Sequence, residues 1–276
     1  MFKNPDIQRA ASQDGLAVID ANLHKEVEQL YAYISNHFKF TATDFYYSLM
    51  ANTYETNKVI QKALLEILHN FFETHFTRHK ILNASFLAKP ADTKQEFLLH
   101  QDWCYTDEKN YNAYNIWIPL TDVNEENGAM FFLPGSQLWF ENYRSGSLHS
   151  SRITSDDTLK PYLQTVPLKK GQVILFNPAV FHGSHPNLSN QNRLVVTSTI
   201  LPQEAPFLYF QKGEAENEVS IFNVEGDAFL KDLEKLAFGG KPTSREVKRL
   251  KYTHCSITKS ELTAKVMTNN KPLYYL

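Results

Sequence analysis

Residues 81–102 read ILNASFLAKPADTKQEFLLHQD. From Ile81 the apolar residues run at strand spacing, and Pro90-Ala91-Asp92 breaks the run as a turn does before a second strand begins near Gln95. The pattern predicts strands over 81–89 and 95–102, and the same reading extends through 112–120, 129–133, 163–168, 172–176 and 193–201. Glu126-Asn127-Gly128, Pro134-Gly135-Ser136, Lys170-Gly171 and Asn187 to Asn192 supply the separators. Many short strands divided by such turns argue a sandwich or barrel, and a two-sheet jelly roll is one way to close it.

Upstream the period is different. Residues 5–13 read as a short helix, Leu16-Ala17-Val18-Ile19 as an early strand after Gly15, and residues 23–38 and 56–78 as amphipathic helices, the latter on Val59, Ile60, Leu64, Ile67, Leu68, Phe71 and Phe72. The expected architecture is therefore an all-β core with flanking helices, an α+β chain read as a single domain. Residues 1–80 form a mostly helical N-terminal part, 81–203 a jelly-roll core, and 204–276 a C-terminal extension with helical hints around 226–237 and 243–251. The stretch 137–162, rich in Ser, Asp and charge, is long for a connection, as lids and binding loops often are.

A chain of 276 residues with 42% hydrophobic content can bury one sizeable core. A net charge of -2 gives no footprint for nucleic acid. Cys104 and Cys255 do not make a disulfide framework, which points to a reducing compartment. The N-terminal MFKNPDIQRAASQDG lacks the apolar core of a secretory signal, and no run of about 18 apolar residues is present. These features lead to the expectation of a soluble, cytoplasmic protein with no membrane or nucleic-acid partner. An aromatic content of 13% fits a β-rich core, or an aromatic-lined pocket.

Chemistry concentrates in two segments, His100-Gln101-Asp102 and His182-Gly183-Ser184 with Arg193 beyond. Residues i and i+2 of a strand share a face, so His100 and Asp102 project together if 95–102 ends as a strand. Two imidazoles and one carboxylate on one side of a metal, with the remaining positions open, suit non-haem Fe(II) oxygenases. An Arg can hold a carboxylate by a bidentate contact. His185 is an alternative to His182; the Gly-Ser after His182 and the spacing to Arg193 favour His182. His75 and His79 are four apart on an expected helix, a spacing that can bind zinc, but without the Glu of a H-E-x-x-H motif they read as a surface pair.

The sequence resembles the phytanoyl-CoA dioxygenase family of Fe(II)/2-oxoglutarate-dependent oxygenases. The resemblance rests on His100-Gln101-Asp102-Trp103, on Trp117-Ile118-Pro119-Leu120-Thr121-Asp122, on Glu126-Asn127-Gly128-Ala129-Met130 with Phe132-Leu133-Pro134-Gly135-Ser136, and on His182-Gly183-Ser184 with Asn187 and Arg193. Asp14 to Ile19 is similar to the family's first strand, and coverage runs roughly from 12 to 203. The resemblance implies a double-stranded β-helix, with His100, Asp102 and His182 as iron ligands. It further implies Arg193 pairing with the distal carboxylate of 2-oxoglutarate, Ser184 hydrogen-bonding the same end, Trp117 lining that pocket and Asn83 as a further contact. Lys89 is another candidate there, beside its reading as an exposed turn residue. Implied co-reactants are Fe(II), 2-oxoglutarate and O2, with succinate and CO2 released. Halogenating relatives lack the carboxylate that Asp102 supplies, so hydroxylation, desaturation or ring formation is favoured over halogenation.

The expected substrate is a small metabolite or natural-product intermediate. Trp103 and Tyr105, with Cys104 between them, are candidate walls of its pocket, and Arg144, His149 and Arg152 are loop cations that would meet an anionic substrate unless they are solvated. Competing expectations are a non-catalytic jelly-roll ligand-binding protein and another cupin-type metalloenzyme. Oligomeric state has no sequence signature here.

Overall fold

The computed structural model describes residues 1–40, 45–148, 150–154, 157–215, 217–254 and 256–268. His149 and Cys255 lie outside them. Helix α1 (Pro5–Gln13) starts where the Asn4 side chain accepts from the Asp6 backbone N–H and Pro5 takes the first turn. Strand β1 (Leu16–Asp20) and helix α2 (His24–His37) follow. After β2 (Tyr46–Tyr47) and the one-turn α3 (Ser48–Ala51), Thr53 caps helix α4 (Tyr54–Ile67). The expected 56–78 helix is thus divided. The chain breaks at Leu68, resumes as α5 (His69–His75), and turns extended at Phe76, whose ring is buried in the core.

The strands come next: β3 (His79–Lys89), β4 (Phe97–His100), β5 (Tyr114–Pro119), β6 (Met130–Leu133), β7 (Gln164–Val166), β8 (Gln172–Phe176), β9 (Phe181–Ser184) and β10 (Arg193–Pro202). They build a six-stranded sheet in the order β1-β8-β5-β10-β3-β2 and a four-stranded sheet in the order β4-β9-β6-β7, all pairings antiparallel. Consecutive strands cross from one sheet to the other, so that β3 and β4, β5 and β6, β7 and β8, and β9 and β10 each divide between the two. This is the jelly roll that the sequence pattern predicts.

Both faces of the large sheet are covered, which is why β5 is buried at every residue. On the outer face, Ala84, Phe86, Ala88, Ile116, Ile118 and Val196 pack against Val27, Leu30, Ile34, Ile60 and Leu64 of α2 and α4. The alternate residues point into the roll, where Trp117, Ile174, Phe176 and Val195 meet Met130 and Phe132 of the small sheet. A bulge in β3 at Leu82, opposite Thr199 and Ile200, shifts the parity of β3 and returns Ile81 to the helix-facing core.

Beyond β10 lie β11 (Leu208–Lys212), β12 (Glu218–Asn223), helix α6 (Ala228–Ala237), β13 (Glu246–Lys251) and α7 (Lys259–Thr268). The expectation of a helix at 226–237 matches α6. At 243–251 it does not: the segment pairs with β12 as the edge strand of a three-stranded sheet. Val247 and Leu250 are three apart, which imitates a helical face, while Lys248, Arg249 and Lys251 are the charges that protect an open sheet edge. Among the described residues, no helix is long and apolar enough to cross a membrane.

Candidate metal centre and cavity

Alternation along the strands decides what faces the interior. His182 and Ser184 of β9, Asn83, Leu87 and Lys89 of β3, Asn115 and Trp117 of β5, and Arg193, Thr197 and Thr199 of β10 share their parity with the inward residues. Most of these line one cavity of about 380 Å³, and all nine site residues expected from the sequence do so: His100, Asp102, His182, Arg193, Ser184, Trp117, Asn83, Trp103 and Tyr105.

His100 and His182 are directly opposite on neighbouring strands, with ring centroids 4.4 Å apart. The Nε2 atoms of His100 and His182 lie 3.5 Å from the two carboxylate oxygens of Asp102. One potential ligand atom from each residue falls within 4.8 Å of the others, so this cluster can hold a metal ion. Each ring is fixed by its other nitrogen: His100 Nδ1 is 2.8 Å from the Leu98 carbonyl and His182 Nδ1 is 2.9 Å from the Val180 carbonyl. A carbonyl only accepts, so both Nδ1 atoms carry the proton and both Nε2 lone pairs are left for a cation. Phe176 and Phe132 flank the His182 ring.

Asp102 reaches the cluster by a different route from the one strand periodicity suggests. Strand β4 ends at His100, and its pairing with β9 is irregular between Phe97 and His100. Asp102 sits on the following segment, pinned where its N–H donates to the Pro178 carbonyl at 2.8 Å and its own carbonyl accepts from Arg144 Nε at 2.7 Å. Its carboxylate accepts from Asn115 Nδ2 at 2.7 Å, and Asn115 Oδ1 in turn accepts from the Thr199 hydroxyl at 2.7 Å. Burial pushes the Asp102 carboxyl up, but His182 and His100 in their protonated form outweigh it and hold it well below the usual carboxylate range. The sequence reading missed Asn115 and Thr199. Their alternation with Trp117 and Thr197 marked them as inward polar residues, the one signal available.

The opposite end of the cavity is cationic. Arg193 is 3% exposed, lies over the Trp117 ring at 5.2 Å and donates to the Gly128 carbonyl, while its Nε is buried without a hydrogen-bond partner. Burial pushes its guanidinium down to about 10. Lys89 is its cross-strand neighbour and is 2% exposed, which corrects the exposed-turn reading. Its ammonium donates to Ser184 Oγ at 3.0 Å, to the Ser184 carbonyl at 3.4 Å and to the His185 carbonyl. Burial and then the charge of Arg193 lower it to about 7, against a smaller opposing effect of Glu96.

Several candidates lie elsewhere. His185 has the opposite parity to His182; its Nε2 is 2.8 Å from the Thr165 hydroxyl and its ring packs on Phe131. His75 ends α5 and His79 begins β3, so they do not share a helix; their rings pack around Phe71, Phe72 and Phe76. Cys104 faces Leu148, Leu208, Phe210 and Val219, and burial pushes its thiol up. Arg144 is neither solvated nor in the cavity. It is fully buried, paired with Glu108 at 2.6 Å and bound to the Asn142 carbonyl, a clamp on the segment that carries Asp102. Arg152 is exposed. No described residue of 137–162 lines the cavity; the outer wall comes from Phe45 to Met50 and from α6, through Phe229, Leu233 and Ala237.

The family model for phytanoyl-CoA dioxygenase (PhyH) matches residues 6–195, and the chain belongs to that family. Over 144 residues it is 31% identical to a probable alpha-ketoglutarate-dependent hypophosphite dioxygenase of Stutzerimonas stutzeri, covering 49% of this chain and 48% of that protein. Over 133 residues it is 29% identical to phytanoyl-CoA dioxygenase domain-containing protein 1 of Danio rerio, covering 45% of each. The chain thus spans about half the length of these relatives. Among solved structures, the non-heme alpha ketoglutarate dependent epimerase SnoN from nogalamycin biosynthesis superposes with a TM-score of 0.52 at 17% identity, covering 93% of this chain and 96% of that one. That likeness is one of fold.

Proposed function

We propose that this chain is an Fe(II)- and 2-oxoglutarate-dependent dioxygenase that oxidises an unactivated C–H bond of a small metabolite or biosynthetic intermediate, most simply by hydroxylation. One observation carries the reading: a single cavity joins a cluster of two free Nε2 lone pairs and a carboxylate to a buried guanidinium with an unpartnered Nε. A soft-to-borderline divalent ion with open positions fits the first end. A carboxylate fits the second, because a buried cation calls for an anionic partner.

In this reading His100, Asp102 and His182 hold the iron, and Arg193 with Ser184 holds the distal carboxylate of 2-oxoglutarate beside Trp117 and Asn83. With iron in place, the chemistry supplied is C–H oxidation by O2 coupled to decarboxylation of 2-oxoglutarate to succinate and CO2. The protein's share is position and dryness. Asn115 orients the Asp102 carboxylate, the Leu98 and Val180 carbonyls set the histidine tautomers, and Phe132 and Phe176 keep water from His182. Lys89 donates to Ser184 Oγ, which leaves the serine hydroxyl proton free to point at an incoming carboxylate. The whole chain acting as one domain, cytoplasmic residence and a small-molecule substrate belong to the same proposal.

The test is anaerobic. Protein loaded with Fe(II) is titrated with 2-oxoglutarate and followed by the weak visible metal-to-ligand charge-transfer band, with His182→Ala and Arg193→Ala alongside. A band in the parent protein that weakens in both variants supports the reading. Its absence in folded, iron-loaded parent protein moves a non-catalytic binding protein, or another cupin-type metalloenzyme, to the front.

A further inference from the structure

Among the described residues, the basic and acidic side chains lining the cavity are His100, Asp102, His182 and Arg193, and the oxygenase reading assigns every one of them to iron or to 2-oxoglutarate. Iron and Arg193 together would be balanced by the Asp102 carboxylate and the dianionic co-substrate. Lys89 supplies nothing further, because its three donors are directed at Ser184 and His185. A further part of the wall is built from Tyr47, Leu49, Trp103, Tyr105, Phe229 and Leu233. It carries rings and aliphatic groups, two phenols and no charge.

The phenols are the polar handles of this wall. Burial, followed by the nearby Asp102 carboxylate, pushes Tyr105 well above the usual phenol value, so its hydroxyl stays neutral. Tyr47 is raised likewise, mainly by burial. The Tyr105 ring is fixed edge-on to Phe229, 6.2 Å between centroids, and lines the cavity. A charged ligand on such a wall would lose its hydration with no counter-charge to replace it, whereas a hydroxyl or carbonyl group needs one hydrogen bond.

Phe229 and Leu233 belong to α6, outside the segment 6–195 that the family model matches. Helix α6 is tied down at its start, where Asp227 accepts from Tyr54 Oη at 2.6 Å and pairs with Lys58 at 2.9 Å, both on α4. Contacts within the chain therefore hold α6 against the cavity.

We infer that the primary substrate is an uncharged, ring-bearing or otherwise largely apolar molecule with a hydroxyl or carbonyl oxygen that meets Tyr105, and that α6, through Phe229 and Leu233, sets its specificity. The inference rests on the oxygenase reading in taking Arg193 to be occupied by 2-oxoglutarate.

The experiment uses anaerobic protein loaded with Fe(II) and saturating 2-oxoglutarate. Binding of three probes of one shape, 2-naphthalenemethanol, 2-naphthoate and 2-naphthylmethylammonium, is followed by ligand-detected NMR and by quenching of tryptophan fluorescence. The neutral alcohol is expected to bind at least about tenfold more tightly than either ion. Tyr105→Phe should weaken the alcohol about fivefold and leave 2-methylnaphthalene unchanged. Phe229→Ala should weaken both neutral probes. Equal or tighter binding of an ion, or no binding of any neutral probe, overturns the inference. The charge-transfer band recorded on the same samples reports separately on the oxygenase reading, so the two can fail independently.

Discussion

Replacing Arg193 with Met should separate stability from function, in opposite directions. The guanidinium is buried over Trp117, and burial alone lowers it from the usual guanidinium value to about 10. At about 1.4 kcal/mol per pH unit, the charged form is disfavoured by roughly 3 kcal/mol before any ligand arrives. Met has a similar length and no charge. It forfeits the bond to the Gly128 carbonyl and the stacking on Trp117, together about 1–2 kcal/mol. The net expectation is a ligand-free variant more stable by about 1 kcal/mol, a rise in Tm of about 2–4 °C for a chain of this size. Binding moves the other way. A bidentate, desolvated pair with a carboxylate is lost, a change of about 3–5 kcal/mol, so the Kd for 2-oxoglutarate should rise at least about a hundredfold. Thermal unfolding with and without 2-oxoglutarate reads both effects, because a ligand stabilises only in proportion to its occupancy. Binding within about fivefold of the parent protein would refute the assignment of Arg193 as the carboxylate's partner. A Tm several degrees lower would show that its buried charge is not a strain on the fold.

Other expectations follow from the same geometry. Asn115→Ala removes the 2.7 Å donor to Asp102 and frees Thr199; Fe(II) affinity, measured by chelator competition, should fall about 10–100-fold with the fold intact. Lys89 is lowered from 10.5 to about 7 in the folded chain, so below pH 7 it is charged in both states and the fold carries the full cost of burying that charge. Between about 7 and 10.5 the unfolded chain holds the extra proton, and stability rises with pH. Lys89→Met should abolish that rise in chemical denaturation, and its advantage over the parent protein should be largest below pH 7. At Gly183 a Cβ would lie 2.6 Å from the Phe131 ring and closer still to the Phe97 carbonyl. Gly183→Ala should force β4 from β9 and reduce Fe(II) binding through the displaced His100 and His182, with a loss of Tm visible by circular dichroism.

Residue types and their order determined much of this protein. Alternation of apolar and polar residues, which depends only on the two-residue repeat of a strand, was enough to mark the strands of the roll except the two-residue β2 at the sheet edge. His100, Asp102, His182 and Arg193 stood out because so few residue types can ligate iron or pair with a carboxylate, and the cavity brings all four together. Local pattern failed where long-range packing decided the outcome. The helix is interrupted at Leu68 although the apolar face runs on through Leu68, Phe71, Phe72 and Phe76 into one core, and 246–251 became a strand because β12 offered it a partner. Burial is likewise invisible in a one-dimensional pattern. Lys89 and Arg144 resemble loop cations in sequence, yet one is enclosed beside Arg193 and the other clamps the Asp102 segment.

The last contrast lies at the cavity itself. The sequence alone named the groups able to do chemistry, since side-chain type determines what can bind a metal or an anion. Only the tertiary structure decided that Asn115 supports Asp102 from β5, that 137–162 stays out of the cavity among its described residues, and that α6, more than a hundred residues beyond His100 and Asp102 in the chain, lines it. Those facts depend on which distant segments meet, and that is set by how the two sheets and the helices bury their apolar faces together.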